Sequence, residues 1–160
     1  MIGIMAMSEN RCIGLNGKLP FHSSGDFKWF KEFTMGKTLI VGRKTFDNLP
    51  LLKGRKIWIL TNDIWRKMMV QRITNSLGCE GRKYNYDVIM DYNKEVLDEC
   101  IVAGGKSIYE LFMPYITEFY VTILDLSVNG DTFMSEFEHL FSKQEVIREF
   151  EGGKVIKYSK

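Results

Sequence analysis

Short apolar runs alternate with amphipathic stretches along most of the chain. Four runs are hydrophobic with little alternation, at residues 2–7, 39–41, 57–60 and 101–103. Such runs are typical of strands that are covered on both faces, as in the parallel sheets of α/β proteins. The segments between them carry helical spacing, and helices are predicted at residues 25–35, 93–99 and 107–113, the last of them ended by Pro114.

The last third of the chain has a different pattern. Residues 119–125 predict one long strand, and the runs at 145–150 and 154–159 flank Gly152-Gly153, a strong hairpin signal. The predicted fold is therefore α/β: one domain over residues 1–160, with a mostly parallel central sheet, flanking helices and a C-terminal antiparallel hairpin.

Residues 63–86 are the least regular part of the chain. They hold five basic side chains and two acidic ones. A solvated surface excursion is expected there, and a docking patch for an acidic partner is the alternative.

Length and charge narrow the class of protein. A chain of 160 residues that is 45% hydrophobic can bury a sizeable core as one soluble domain. The net charge of +2 argues against general binding to nucleic acid or to an anionic membrane. The three cysteines and two histidines show no metal-ligand spacing. Because no signal peptide or membrane span is apparent, a small cytoplasmic protein is expected, and enzymes are common in that class. The protein is also expected to be a monomer and to hold no metal.

Ligands of open parallel sheets bind beyond the carboxyl ends of the strands, so the loops at that edge are candidate sites. Residues 8–24, after the first predicted strand, form either a functional loop or an ordinary surface loop. Asp26 begins the next helix on the same face as Trp29 and Phe33. It is either a buried functional carboxylate or an acid that caps the helix and faces water.

Two glycine-marked helix starts suit phosphate groups. Residues 104–107 (Gly-Gly-Lys-Ser) follow one strand and residues 42–45 (Gly-Arg-Lys-Thr) follow another, so backbone N–H groups and basic side chains come together. The first segment is not a P-loop, because Cys100 stands where that motif needs glycine. A tight turn and solvated surface charges are the alternatives. Together the two segments suggest a dinucleotide site without the usual glycine fingerprint.

In this order, the segments resemble the dihydrofolate reductase family. The matching residues are collinear and cover the chain outside residues 63–99: Ile13-Gly14, Leu19-Pro20, residues 26–31, residues 41–46, Gly54-Arg55-Lys56, Ala103-Gly104-Gly105, Ile108-Tyr109, residues 119–122 and Gly130-Asp131-Thr132. The resemblance implies that dihydrofolate is reduced to tetrahydrofolate by hydride transfer from NADPH, from nicotinamide C4 to pterin C6. It also implies that antifolate-type small molecules bind.

The resemblance implies roles for individual residues. Asp26 would be the one ionisable group in the pterin pocket and would favour the protonated substrate, while a water admitted by the loop at Leu19 delivers the proton. Thr122 would hydrogen-bond Asp26, and Arg55 would hold the α-carboxylate of the substrate's glutamate tail. Further substrate contacts are expected from Met5, Ala6, Phe27, Phe30, Leu49, Leu52, Ala103 and Tyr109. The expected NADPH site comprises Ala6, Ile13, Gly14, Arg43, Lys44, Thr45, Thr61, Asn62, Gly104, Gly105, Lys106, Ser107 and Tyr109.

Three features depart from the family's pattern. Phe21, counted among the catalytic residues, stands where the family has Trp, so an indole N–H that would hold a water is missing. Asn62 stands where many members carry a basic residue, which leaves Arg43 to select NADPH over NADH. The segment from Leu60 to Gly104 is longer than in compact members.

Two other functions remain alternatives on the sequence alone. A pyrimidine reductase of riboflavin synthesis shares the fold and the cofactor but does not need the Asp26 helix followed by Arg55. A non-catalytic pterin-binding or structural relative is suggested by Phe21 and by the irregular residues 63–99. The joint presence of Asp26, Arg55 and Thr122 argues against a relative that has lost catalysis.

Overall fold

A computed structural model describes residues 1–50, 52–60, 85–89 and 100–160, with the backbone alone at 85–89. In chain order its elements are β1 (Ile2–Ser8), β2 (Cys12–Gly14), α1 (Ser24–Thr34), β3 (Thr38–Gly42), α2 (Arg43–Asn48), β4 (Lys56–Leu60), β5 (Asn85–Ile89), β6 (Cys100–Val102), α3 (Lys106–Phe112), a 3₁₀ turn (Met113–Tyr115), β7 (Glu118–Leu124), β8 (Thr132–Phe133), a second 3₁₀ turn (Glu138–Leu140), β9 (Lys143–Phe150) and β10 (Gly153–Ser159).

Eight of the described strands form one sheet, in the order β5-β4-β3-β6-β1-β7-β10-β9. The strands from β5 to β7 in that order are parallel, and β10 runs antiparallel to both β7 and β9. The predicted mostly parallel sheet with a C-terminal antiparallel hairpin is confirmed. The turn lies one residue earlier than predicted, with Gly152 at φ 82°, because Gly153 already belongs to β10.

Hydrophobic residues cover both faces of the sheet. On one face, α3 packs over a core that includes the fully buried Phe112, Phe119 and Phe137. On the other face, the aromatic residues of α1 pack against strand residues such as Leu39 and Ile57. Coverage on both sides explains why these strands are continuous apolar runs rather than alternating ones. In the described part of the chain no helix is long and apolar enough to cross a membrane.

The helices lie close to their predicted positions. α1 begins one residue before the prediction, and its N-cap Ser23 accepts a hydrogen bond from the Asp26 N–H at 3.2 Å. Pro114 does not end the helical path at once, because it lies in the first turn of the 3₁₀ segment, where its missing N–H is not needed. The helix predicted at 93–99 and residues 63–84 of the predicted excursion lie outside the described residues, while residues 85–86 begin β5.

A small second sheet divides the loop that follows β1. β2 pairs antiparallel with β8, so that Cys12 lies opposite Phe133 and Gly14 opposite Thr132. A side chain at Gly130 would collide with Cys12 Sγ, so the approach of the two segments requires glycine there. Strands of three and two residues are too short to show a period in the sequence, so the sequence alone predicts a loop over residues 8–24.

Candidate active site

Asp26 lies buried at the start of α1, with 8% of its surface exposed. The cap by Ser23 fixes the first turn of the helix, and the spacing of α1 turns Asp26 to the same side as its aromatic residues. A carboxylate in this position faces the protein interior. The structure therefore decides between the two alternatives for Asp26 in favour of the buried one.

The electrostatic setting of Asp26 is dominated by its burial. Loss of hydration raises the pKa of the Asp26 carboxyl, and the nearby hydroxyl of Thr122 lowers it by a smaller amount. Thr122 is fully buried on β7 and lies opposite Ala6 of β1. Its Oγ1 has no partner within hydrogen-bonding distance among the described residues. The hydroxyl is thus close enough to Asp26 to influence it, and it is itself fully buried.

Tyr109 of α3 also lies near Asp26. It is buried, and its hydroxyl donates a hydrogen bond to the carbonyl oxygen of Ile4 at 2.8 Å. Burial and the negative charge of Asp26 both raise the pKa of the Tyr109 phenol. Tyr109 therefore stays a neutral hydrogen-bond donor wherever Asp26 is ionised, and it ties the helix to β1 beside the carboxylate.

The two predicted phosphate segments meet at the carboxyl ends of β3 and β6. The Gly42 N–H donates to the carbonyl oxygen of Gly104 at 2.8 Å. A Cβ at Gly105 would lie 2.7 Å from Thr45 Oγ1, and Gly104 has φ 127°. A side chain at Gly105 would crowd Thr45, and the positive φ of Gly104 favours glycine, so this stretch of backbone passes Thr45 without side chains of its own. We call Gly42, Thr45, Gly104 and Gly105 the glycine cradle.

Basic side chains surround the glycine cradle, and two of them are paired within their own helices. Arg43 Nη1 lies 3.0 Å from Asp47 Oδ2, and Lys106 Nζ lies 3.7 Å from Glu110 Oε1. Lys44 and Ser107 are exposed. Because such partly exposed ion pairs are weak, a phosphate can replace the acidic partner. Ile13 and Gly14 lie in β2, whereas Thr61 and Asn62 lie outside the described residues.

The residues expected as apolar walls do not all lie on one face of the sheet, because Met5 of β1 is buried in the core on the α3 side. Phe27 of α1 is 40% exposed and contacts the ring of His22 at a centroid distance of 4.9 Å. The other expected wall residues pack with the α1 core: Phe30, Leu49, Leu52 and Ala103. The partial exposure of Phe27 leaves an apolar surface for a ligand ring.

Arg55 lies in a pocket of about 520 Å³ at the C-terminal end of α1, lined by Lys31, Met35, Lys53, Gly54 and Arg55. We call this the basic pocket. Arg55 Nη1 donates to Thr34 Oγ1 at 3.3 Å, while its buried Nε has no hydrogen-bond partner in the described segments. Burial lowers the pKa of Arg55, but a guanidinium remains charged. No acid of the described residues pairs with Arg55, so its charge is offered to a ligand anion. Neither Lys31 nor Lys53 was predicted.

The loop before α1 is held by a contact that the sequence did not assign. Leu15 and Lys18 exchange backbone hydrogen bonds across a tight turn, with Asn16 at φ 51° and Gly17 at φ 77°. The Asn16 N–H donates to Asp131 Oδ2 at 2.7 Å, which lowers the pKa of that carboxyl. This contact tethers the segment that leads to Leu19, which is 47% exposed, and to the half-buried Phe21.

Comparison with known proteins identifies related chains over nearly the whole length. A sequence model described as dihydrofolate reductase matches residues 1–154. A dihydrofolate reductase of Enterococcus faecium is 30% identical over 153 residues, covering 94% of this chain and 86% of the relative. One of Neisseria gonorrhoeae is 33% identical over 142 residues, covering 84% and 78%.

A solved structure shows the same fold. It is a dihydrofolate reductase from Enterococcus faecalis complexed with NADP(H) and RAB-propyl, with a TM-score of 0.71 and 23% sequence identity. The match covers 99% of this chain and 94% of that one. The arrangement of sheet, helices and hairpin is therefore shared over the full domain.

Proposed function

The chain belongs to the dihydrofolate reductase family. On that premise we propose that it reduces dihydrofolate to tetrahydrofolate with NADPH, at a site beyond the carboxyl ends of its parallel strands. The observation that carries this proposal is the buried carboxylate of Asp26 at the start of α1, the helix whose C-terminal end borders the pocket of Arg55. Binding of a folate needs two protein groups: a carboxylate for its pterin ring and a cation for its glutamate tail.

The glycine cradle fits the pyrophosphate of a dinucleotide. Gly104 and Gly105 offer backbone without side chains, and Thr45 adds a hydroxyl beside them. Arg43, Lys44 and Lys106 supply positive charge around this surface. When bound, NADPH supplies the hydride that passes from nicotinamide C4 to pterin C6. The remaining work of the protein is to position the rings and control the proton.

Asp26 controls the proton by electrostatics. Its carboxylate accepts hydrogen bonds from the 2-amino group and N3 of the pterin, and its negative charge favours the protonated form of the bound ring. The hydroxyl of Thr122, unpaired within the described structure, completes this contact. A water that enters beside Leu19 delivers the proton to N5. Phe21 fills apolar space beside this path but has no N–H to hold that water.

Arg43 is the candidate for binding the 2′-phosphate of the cofactor. Arg43→Ala should remove most of the preference for NADPH over NADH, because NADH lacks the group that the guanidinium binds. The ratio of KM values for the two cofactors measures this effect. Equal weakening of both cofactors would show that Arg43 does not contact the 2′-phosphate.

Asp131 should affect the rate of hydride transfer, because its carboxylate tethers the loop that leads to Leu19. Asp131→Asn weakens a charge-assisted hydrogen bond to the Asn16 N–H, so we expect hydride transfer in a single turnover to become a few-fold slower with little change in melting temperature. Asp125→Asn, which removes another exposed acid of the same connection, is the matched control. A rate that is unchanged in Asp131→Asn would show that the tether has no kinetic role.

The proposed function is tested by following the absorbance of NADPH with dihydrofolate as the second substrate. We expect NADPH to be oxidised only when dihydrofolate is present. Binding of both ligands without oxidation would support a non-catalytic relative, and oxidation with a pyrimidine of riboflavin synthesis instead of dihydrofolate would support the other reductase.

We further propose that the protein acts in the cytoplasm as a monomer. Cys12 is buried and forms no disulfide among the described residues, which suits a reducing compartment. The binding residues that the proposal uses all belong to one chain, so no second copy is needed to complete the site. Light scattering at micromolar concentration tests the monomer, and a stable dimer would contradict it.

A further inference from the structure

The carboxylate of Asp26 lies in the part of α1 that the helix itself holds least. The first four N–H groups of a helix have no carbonyl partner within that helix, and helix ends fray. Asp26 is the third residue of α1, and its N–H is held by the Ser23 cap at 3.2 Å. A group that must be placed accurately for its reaction therefore needs support from outside the helix.

The C-terminal hairpin contacts α1 directly beside Asp26. The ring of Phe150, the last residue of β9, lies so close to Gly25 that a Cβ at Gly25 would overlap it. The same ring lies against Gly153 of β10, where a Cβ would come within 3.1 Å of Phe150 Cε2. Glycine weakens a helix because it loses much conformational freedom on folding. Its presence in the first turn of α1 is explained by the space that the ring takes.

A second contact attaches the hairpin further along α1. Arg148 Nη1 donates to Glu32 Oε2 at 2.7 Å, and the guanidinium lies over the ring of Trp29, 5.6 Å from its centroid. Arg148 and Phe150 are two residues apart on one strand, so their side chains point to the same face. The hairpin is therefore held along the helix at two places, which keeps the ring of Phe150 on its first turn.

The shape of β9 explains why these two side chains reach α1. The pairing of β9 with β10 slips by one residue at Ile147, which forms a β-bulge. All side chains of β9 from 143 to 147 are exposed, whereas Arg148 and Phe150, beyond the bulge, are half-buried. Because a bulge bends and twists its strand, the end of β9 that contacts the helix is set apart from the exposed edge of the sheet.

We propose that Phe150 is a positioning residue for Asp26: its ring, packed on Gly25, fixes the first turn of α1 and with it the place of the carboxylate. This inference rests on the proposed function, because it takes Asp26 as the group that controls the proton. Arg148 assists by holding the hairpin along the helix. A displacement of about 1 Å can lower a rate on the order of a hundredfold, so a loosened turn should reduce hydride transfer while NADPH binding stays unchanged.

The kinetic test asks whether Phe150 acts through Asp26. Phe150→Ala should slow hydride transfer in a single turnover about tenfold. In the Asp26→Asn background, at an acidic pH where both parent proteins are active, the same change should slow it by less than about twofold, because the carboxylate to be positioned is gone. Phe150→Leu, which keeps most of the apolar contact, should stay within about threefold of the wild type. Equal losses in the two backgrounds would overturn the inference.

The matched control is Phe141→Ala. Phe141 is also half-buried and directly precedes the hairpin, but its ring packs against Phe137 and Tyr158 in the core on the α3 side of the sheet. Its removal should leave hydride transfer unchanged. A loss as large as that of Phe150→Ala would overturn the inference, because the effect would then come from a weakened hairpin and not from the contact with Gly25.

Hydrogen exchange separates this inference from the proposed function, since it needs no turnover. In the free protein, Phe150→Ala should speed exchange of the Asp26 and Phe27 amides about tenfold relative to the amide of Val121, which is buried in β7. Faster exchange in a chain that does not reduce dihydrofolate would refute the proposed function and show that Phe150 holds the turn. Unchanged exchange in an active enzyme would support the function and refute the role of Phe150.

Discussion

Asp26→Asn should abolish most turnover at neutral pH while leaving the fold and NADPH binding intact. Asparagine fits the same space and keeps hydrogen-bonding capacity, but it removes the negative charge that favours the protonated pterin. The loss should be on the order of a hundredfold or more, the usual contribution of a positioned acid–base group. Activity should recover partly in acid, where the substrate takes up a proton without help from the protein. Steady-state rates across pH measure this effect, and full activity at neutral pH would contradict the role of Asp26.

The same substitution should not weaken the folded protein. Burial raises the pKa of Asp26 above its ordinary value, so the folded chain holds this proton more tightly than the unfolded chain. The stability contributed by the protonated group is then lost as pH rises from the ordinary pKa through the raised one. At neutral pH a buried charge remains, and Asp26→Asn removes it. We expect a melting temperature equal to or above that of the wild type, which excludes misfolding as the cause of lost activity.

Arg55→Ala should weaken dihydrofolate binding by about 2–4 kcal/mol, the cost of removing the bidentate partner of a carboxylate. The prediction rests on a buried Nε without a hydrogen-bond partner and on the absence of any acid paired with Arg55 in the described structure. Arg55→Lys should restore only part of the affinity, because lysine keeps the charge but lacks the planar fork.

The control for Arg55 is a substrate analogue that lacks the glutamate. Its dissociation constant should hardly change in Arg55→Ala, whereas that of dihydrofolate should rise steeply. Titration of both ligands against wild-type and variant protein measures the difference. Equal losses for the two ligands would mean that Arg55 supports the structure of the pocket rather than the tail of the substrate.

The sequence predicted the sheet well because its strands are covered on both faces. The buried runs in β1, β3, β4 and β6 stand out by their uninterrupted hydrophobicity, and each proved to be a parallel strand. The burial of Asp26 could not be decided from spacing alone. A helix cap and a buried carboxylate have the same sequence pattern, and the cap turned out to be Ser23.

The features that sequence reasoning missed depend on contacts between distant residues. β2 and β8 are too short to show a period, and the carboxylate of Asp131 reaches the Asn16 N–H across 115 positions of sequence. The position of Asp131 next to Gly130 was the available signal, since the glycine allows close approach. Lys53 joins Lys31 only because the turn at Gly54 packs against the end of α1.

The single-turnover rate of NADPH oxidation as a function of pH tests most directly whether this chain transfers hydride to dihydrofolate with Asp26 controlling the proton. For the wild type we predict a rate that is high in acid and falls about tenfold per pH unit above one apparent pKa, which belongs to the pair of Asp26 and bound pterin. For Asp26→Asn the fall should begin at lower pH, where free substrate titrates. Identical profiles for the two proteins, or no NADPH oxidation by the wild type at any pH, would contradict the account.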